Sequence, residues 1–402
     1  MGDTLSVISD RANNLQESVT IKMAALATEL KEKGLDVISL TLGEPDFNIP
    51  DFIKDAAKKA IDDNFSSYTP VPGLKDLRLA VVEKLKRDNG LDYTFDQVIV
   101  STGAKQSLMN VVLSIVNPGD EVILPAPYWV SYIEMVKFAE GNPVVIDTTV
   151  DTGFKITKDQ LESAINDKTK AFIFSNPCNP SGGAYTQEEL ADLASVFEKY
   201  PNCVIVSDEI YEYINFTGRN ISMASFSKIK DQVVTVNGVS KGFAMTGWRI
   251  GYIAAPLDIA KACNKIQGQF TSGANAVAQV ATITALKGGQ EKVSFMKDEF
   301  LKRRNLMFSL LSEIKHLKVR QPEGAFYLFP DVSSFFGSEL DGKKLNTSED
   351  ICSYLIEEAL VVTTPGGAFG SPSCIRLSYA TDEKTLTEAA KRMKKALEKL
   401  KS

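Results

Sequence analysis

Three short apolar runs constrain the fold of this chain more than any other feature: Ala171-Phe172-Ile173-Phe174, Cys203-Val204-Ile205-Val206 and Val233-Val234-Thr235-Val236. None alternates apolar with polar residues, so none suits a sheet with one face in water. Runs of this kind fit strands covered on both faces. Helical signals lie between and before them. Thr186 with Glu189 and Thr157 with Gln160 match capping boxes, and Leu190, Leu193, Ala194 and Phe197 continue at helical spacing. Leu108, Val111, Val112 and Ile115 form another helical stripe, which Asn117-Pro118-Gly119-Asp120 breaks before a strand at Glu121-Val122-Ile123-Leu124. Strands alternating with helices predict an α/β fold with a mainly parallel, doubly wound sheet.

At 402 residues the chain is too long for one ordinary core. Its last hundred residues change character: charged helices over 291–312 and 382–400 flank strand-like Gly324-Ala325-Phe326-Tyr327-Leu328 and Ile375-Arg376-Leu377-Ser378-Tyr379. That pattern predicts a smaller α+β domain over 296–402. Ile38-Ser39-Leu40 precedes the alternation, so residues 1–50 are expected to join the smaller domain, leaving 51–295 as the large one.

Composition excludes several functions. A net charge of −6 with no basic stripe argues against nucleic acid or an anionic membrane as partner. No apolar run approaches membrane-spanning length. The five cysteines are scattered without CxxC spacing, as expected of reduced thiols in the cytoplasm. A single histidine, His316, leaves no metal site or histidine-dependent triad to expect.

Chemically suggestive residues lie just after the apolar runs, where open α/β sheets bind ligands. Lys241 follows Val233–Val236, and Arg249 follows it by eight residues. On bland grounds Lys241 is a solvated loop charge. In a partly desolvated pocket it would have a lowered pKa and could form a Schiff base, with Arg249 offering a planar fork to a phosphate. Aldehyde capture beside phosphate capture suggests pyridoxal 5'-phosphate.

Asp208 ends the second run as either a turn cap or a partner for a pyridinium nitrogen. Tyr211 is either a core aromatic or a donor to a ring hydroxyl. Asn179 lies in Ser175-Asn176-Pro177-Cys178-Asn179-Pro180, a rigid turn in which one X-Pro bond could be cis. There it can serve a ring oxygen and a substrate carboxylate together. Gly103-Ala104-Lys105 opens the helix at Leu108, where free amides would cradle a phosphate. Trp129 either packs or stacks on a ring. Arg376 faces opposite Ile375 and Leu377, toward either solvent or a cleft that holds a carboxylate.

Together these segments resemble the class I aminotransferases of the fold-type I pyridoxal-phosphate enzymes, especially the bacterial-type aspartate aminotransferases. The resemblance runs from Gly43-Glu44-Pro45-Asp46-Phe47 to Arg376-Leu377-Ser378-Tyr379-Ala380. Its specific parts are Ser207-Asp208-Glu209-Ile210-Tyr211 and Ser240-Lys241 followed by Met245-Thr246-Gly247-Trp248-Arg249-Ile250-Gly251. The resemblance implies that Lys241 carries the internal aldimine and moves the proton, and that Asp208 pairs with the pyridine nitrogen. Tyr211 and Asn179 then bond the ring oxygen, while Arg249, Ser240 and Gly103-Ala104-Lys105 hold the phosphate. Trp129 stacks on the ring, and Arg376 and Gly43 receive the substrate's α-carboxylate. Tyr68 matches a tyrosine that such enzymes donate to the neighbouring subunit's phosphate, which implies a homodimer with shared sites. Gly238 stands where many relatives have a serine on the phosphate, and Cys178 takes no role.

The implied reaction is a ping-pong transfer from an L-amino acid, aspartate by preference, to a 2-oxo acid such as 2-oxoglutarate. The alternatives are transaminases for aromatic amino acids, kynurenine, methionine or prephenate, and a C–S lyase. A transcription-regulator sensor domain would need a helix-turn-helix ahead of Gly43, and a nicotinamide dehydrogenase would leave Lys241 idle. A dicarboxylate substrate needs a second cation, for which Lys105 is a candidate by proximity.

Overall fold

The computed structural model describes residues 7–340 and 342–400. Strand β1 (Ile38–Ser39) pairs with the far end of the chain. The next seven strands make one sheet: β2 (Val98–Thr102), β3 (Glu121–Pro125), β4 (Asn142–Ile146), β5 (Thr169–Ser175), β6 (Val204–Asp208), β7 (Val233–Gly238) and β8 (Ile250–Ala254). Their order is β2-β8-β7-β6-β5-β3-β4. Strands β4, β3, β5, β6 and β7 are joined by parallel pairings, whereas β8 runs antiparallel to both β7 and β2.

The apolar runs are explained by the two cores on either side of this sheet. Phe172, Phe174, Ile205 and Val233 enter one core, and Ala171, Ile173, Val206, Val234 and Val236 enter the other. Each strand therefore buries both of its faces, and alternation has no reason to appear. Both predicted capping boxes form, at Thr157/Gln160 and Thr186/Glu189. From β3 the chain moves outward to β4, and from β5 it moves the opposite way through β6 and β7. The switch point lies at the carboxyl ends of β3 and β5, where a crevice opens.

The chain ends build a separate layer. Strand β9 (Tyr327–Leu328) precedes a small hairpin of β10 (Ser338–Leu340) and β11 (Lys343–Leu345). After these come β12 (Val361–Val362), β13 (Thr364–Pro365) and β14 (Ile375–Ser378). β1 pairs in parallel with β12, and β13-β14-β9 form an antiparallel sheet. Helices Ser294–Ser312, Ser348–Ala359 and Glu383–Lys399 cover them, enclosing Leu40, Phe300, Phe326, Leu355, Leu377 and Met393 in a third core. The expected strand at Gly324–Leu328 is shorter than its sequence suggests. Gly324 bridges Asn215, the Ala325 amide donates to the Ile214 carbonyl and Ala325 adopts a left-handed backbone, so the ladder with β14 starts only at Tyr327. Among the described residues no helix is long and apolar enough to cross a membrane.

Gly251 of β8 shows how tightly the sheet is joined to the helix Ala104–Ile115. A Cβ there would lie 2.1 Å from the Ala104 amide nitrogen and 2.5 Å from the Gly103 carbonyl carbon, so the two backbones touch. Gly251→Ala is expected to cost about 1–3 kcal/mol through forced backbone displacement. A lowered thermal unfolding midpoint checks this; an unchanged midpoint contradicts it.

Candidate active site

A cleft of about 610 Å³ opens where β5, β6 and β7 end, and the chain-end segments close its other side. It brings together Gly43, Ala104, Lys105, Trp129, Asn179, Asp208, Tyr211, Ser240, Lys241, Arg249 and Arg376. Gly103 sits at its edge as the residue that caps the helix Ala104–Ile115. Tyr68 lies elsewhere: it is fully exposed, beside Asn275 and Ala276.

Lys241 stands on the turn that leaves β7. Its Nζ donates to the Gly43 carbonyl and lies 5.9 Å from the Phe326 ring centre. Burial pulls its pKa from 10.5 down to about 8; Glu44 acts in the opposite direction, while Arg376 and Arg249 add to the lowering. The amine is thus held where its neutral, nucleophilic form is accessible near physiological pH.

Asp208 ends β6 and is 5% exposed. Its Oδ2 accepts from the Tyr132 hydroxyl at 2.6 Å and its Oδ1 from the Ile210 amide at 3.2 Å. Burial raises its pKa to about 6, against the bonds from Tyr132 and Ile210 and the charge of Lys241. A carboxylate this short of counter-charge would gain from any cation on the cleft side. The Tyr211 hydroxyl lies 2.9 Å from that of Tyr327.

Arg376 is 2% exposed, although it lies on a strand whose outer face could have met solvent. All four residues of β14 are buried because the chain-end layer covers one face and the cleft wall the other. Its Nη1 donates to Asn179 Oδ1 at 3.0 Å and its Nη2 to the Thr41 carbonyl at 2.9 Å, while Nε has no partner. The guanidinium lies 4.6 Å from the Tyr327 ring centre and 5.0 Å from that of Phe369. Burial lowers its pKa, and no carboxylate among the described residues pairs with it. Asn179 itself is fixed by a turn in which both Asn-Pro bonds are cis.

On the opposite wall Arg249 takes a left-handed backbone, and its Nη1 donates to the Thr246 carbonyl at 3.0 Å. Gly103, at φ +81°, lets the guanidinium lie against the helix start: a Cβ there would stand 2.3 Å from Nη2. The helix's first amides have no intrahelical acceptor, and Ser240 lies in the same wall. Lys105 places its Nζ 5.0 Å from the Trp129 ring centre, and burial followed by the charge of Arg249 lowers its pKa. One indole face is therefore taken by an ammonium, and a ring stacked on Trp129 would use the other. The missing serine at Gly238 has a steric reason. A Cβ there would meet the Ile250 carbonyl oxygen at 2.8 Å.

Among the cleft residues to which the sequence reading gave no role are Thr41, Glu44, Tyr132 and Tyr327. Tyr132 and Tyr327 sit in apolar surroundings that read as core, and only the fold reveals that their hydroxyls meet Asp208 and Tyr211. A larger neighbouring cavity, about 860 Å³, shares Lys105 and Arg249 with the cleft but is lined mainly by groups such as Met109, Leu113, Ile133 and Phe138. We place the chemistry in the smaller cleft, because Lys241, Asp208 and Arg376 line only that one.

The donor set fits pyridoxal 5'-phosphate. A lysine with a lowered pKa faces the cleft, a buried carboxylate without an ion pair can take a protonated ring nitrogen, and Arg249 with the first amides of the helix Ala104–Ile115 can take a phosphate.

The family model for aminotransferase class I and II matches residues 35–393. A Petunia hybrida protein named bifunctional aspartate aminotransferase and glutamate/aspartate-prephenate aminotransferase is 45% identical over 395 residues, 97% of this chain and 82% of its own. The aspartate/prephenate aminotransferase of Cereibacter sphaeroides is 45% identical over 392 residues, 97% of this chain and 98% of its own. Among solved structures, the aspartate aminotransferase from Rhizobium meliloti has a TM-score of 0.94 at 40% identity, covering 97% of this chain and 98% of that one. The Thermus thermophilus aspartate aminotransferase with maleate has a TM-score of 0.91 at 37% identity, covering 97% and 99%.

The state of Lys241 yields a direct test. Capture of an added aldehyde by the apoprotein should accelerate as pH rises through about 8, where the neutral amine becomes dominant, well below the ordinary lysine value of 10.5. Lys241→Ala should remove that capture and any visible cofactor band. An alanine variant that still forms the band would refute the assignment.

Proposed function

The chain belongs to the class I and II aminotransferases, fold-type I enzymes that work through pyridoxal 5'-phosphate, and from that premise we propose that it moves the amino group of L-aspartate to a 2-oxo acid such as 2-oxoglutarate by alternating half-reactions. Bound, the cofactor supplies an aldehyde and a ring that draws electrons from the substrate's α-carbon. The protein supplies position and charge. Lys241 would hold the cofactor, and its free Nζ would take the substrate's α-proton and return it across the nitrogen, at the carbon that had been the cofactor's aldehyde. Asp208 keeps the ring nitrogen protonated, with Tyr132 orienting its carboxylate. Tyr211 and Asn179 hold the ring oxygen, and Trp129 covers the ring. Arg249, Ser240 and the first amides after Gly103 take the phosphate.

One observation carries the substrate reading. Arg376, Arg249 and Lys105 all line the cleft, and none has a carboxylate partner among the described residues. Arg376 is buried and Arg249 and Lys105 are exposed, and each offers an anion a charge-assisted hydrogen bond. Arg376, with Gly43 beside it, takes the α-carboxylate, Arg249 the phosphate and Lys105 the distal carboxylate of aspartate. Prephenate is a second reading: it is also a dicarboxylate, and the Petunia and Cereibacter relatives carry it in their names.

The exposed Tyr68 supports a homodimer in which this side chain reaches the phosphate of the neighbouring subunit. Five unpaired cysteines support a reducing, cytoplasmic setting.

Adding L-aspartate to the holoenzyme without an acceptor should replace the band of the pyridoxal form with that of the pyridoxamine form. The aminated enzyme should then pass its amino group to 2-oxoglutarate, and prephenate in place of 2-oxoglutarate tests the second reading. A band that aspartate leaves unchanged would refute aspartate as donor. Lys105→Met should raise KM for aspartate roughly tenfold, about 1.4 kcal/mol, while leaving alanine nearly unaffected. An equal effect on both would place Lys105 on the phosphate instead.

A further inference from the structure

Two turns carry the groups assigned above: one after β6 with Asp208 and Tyr211, the other after β7 with Ser240 and Lys241. The β6–β7 ladder that holds them together ends at Asp208 and Val236, where the Glu209 amide donates to the Val236 carbonyl. Past that point a buried side-chain bridge continues the link. Asn237 Nδ2 donates to Glu212 Oε1 at 2.8 Å, and Asn237 Oδ1 accepts from the Gly238 amide at 2.7 Å. Glu212 pairs with Lys84 on the helix Lys75–Lys84, and its Oε2 accepts from Asn89 at 3.1 Å. Lys84 also donates to Asn89 Oδ1 at 2.8 Å and lies 5.4 Å from the Tyr213 ring centre.

Lys84 is 1% exposed, Glu212 7% and Asn237 1%, and none of them lines the cleft. For stability alone, apolar residues of similar volume would serve as well as this buried ion pair, or better. What apolar residues could not do is fix the register of two turns beyond the end of their ladder. Glu212 directly follows Tyr211, and Asn237 begins the stretch that leads to Lys241. β8 holds Asn237 and Gly238 on their other side, so the Glu212–Asn237 bond is the tie that joins this end of β7 to the turn after β6, and Lys84 neutralises the Glu212 carboxylate.

We propose that Asn237 and Glu212 are positioning residues whose hydrogen bond holds Lys241 in register with Asp208 and Tyr211, Lys84 serving only to neutralise Glu212. The inference rests on the reading of Lys241 as the cofactor-bearing lysine. It is tested on the holoenzyme with Asn237→Ala. The first half-reaction with L-aspartate should slow roughly 10- to 100-fold, as expected for a reacting group displaced by a fraction of an ångström to an ångström. KM should change little, and the pH midpoint of the bound cofactor's visible band should shift. If Asn237→Ala does not fold, Asn237→Thr, whose hydroxyl is too short to reach Glu212, carries the same expectation. The double variant Lys84→Met/Glu212→Gln removes both charges but keeps an acceptor for Asn237, so it should retain most of the rate and the wild-type midpoint. The proposal is overturned by an Asn237 variant with wild-type rate and midpoint, by parallel losses in kcat and KM-derived affinity, or by a double variant as impaired as the single one. A wild-type protein that forms no cofactor band overturns the reading of Lys241 and this proposal with it, so that band is measured first; its presence makes each variant outcome a test of the bridge alone.

Discussion

Charge held out of water without counter-charge is the condition on which this structure depends. Half-buried Lys241 and buried Asp208 lie at the carboxyl end of the large sheet and buried Arg376 on the middle strand of the chain-end sheet, and none is neutralised by an ion pair among the described residues. Such burial costs several kcal/mol for each ion, even after relaxation. Only a stiff surround can sustain it, and the two cores that clamp the sheet from both sides supply that stiffness. Ligand binding at such groups relieves what folding left uncompensated, an anion at Arg376 and a cation at Asp208.

The same constraint explains the polar groups around the charged ones. Tyr132 limits how far burial raises the pKa of Asp208, and Asn179 and the Thr41 carbonyl satisfy two nitrogens of Arg376 without neutralising it. Neutral dipoles of this kind orient an ion yet leave its charge available. A carboxylate in their place would compete with the ligand.

Much of this was legible in the chain because it is written locally. Strands that bury both faces must be apolar throughout, so β5, β6 and β7 announced themselves, and a charged residue directly after such a run must sit at the sheet's edge. Lys241 and Asp208 were visible for that reason. The antiparallel course of β8 was not, since nothing in Ile250–Ala254 distinguishes its direction. Nor was the burial of Arg376, because period-two alternation gives a face and does not say what covers it. Tyr132 and Tyr327 were hidden by their apolar neighbours. Their function lies in a hydroxyl whose partner is far away in sequence.

The chain-end layer is more than a cover for the cleft. The segment Gly43–Phe47 touches both sides: Gly43 accepts from Lys241, Glu44 accepts from Thr246 at 2.7 Å, and Asp46 accepts from Arg303 at 2.7 Å. Arg303 is buried between Phe47 and Phe300, at 5.3 and 5.9 Å from their ring centres, and also bonds Glu299. One short stretch of backbone thus ties the lysine on the sheet to the long helix Ser294–Ser312. Engaging the Lys241 nitrogen elsewhere would leave the Glu44–Thr246 bond to hold the sheet side of the segment, while Arg303 keeps hold of the other. Chemistry at Lys241 therefore touches the segment beside Arg376 directly, through the Gly43 carbonyl.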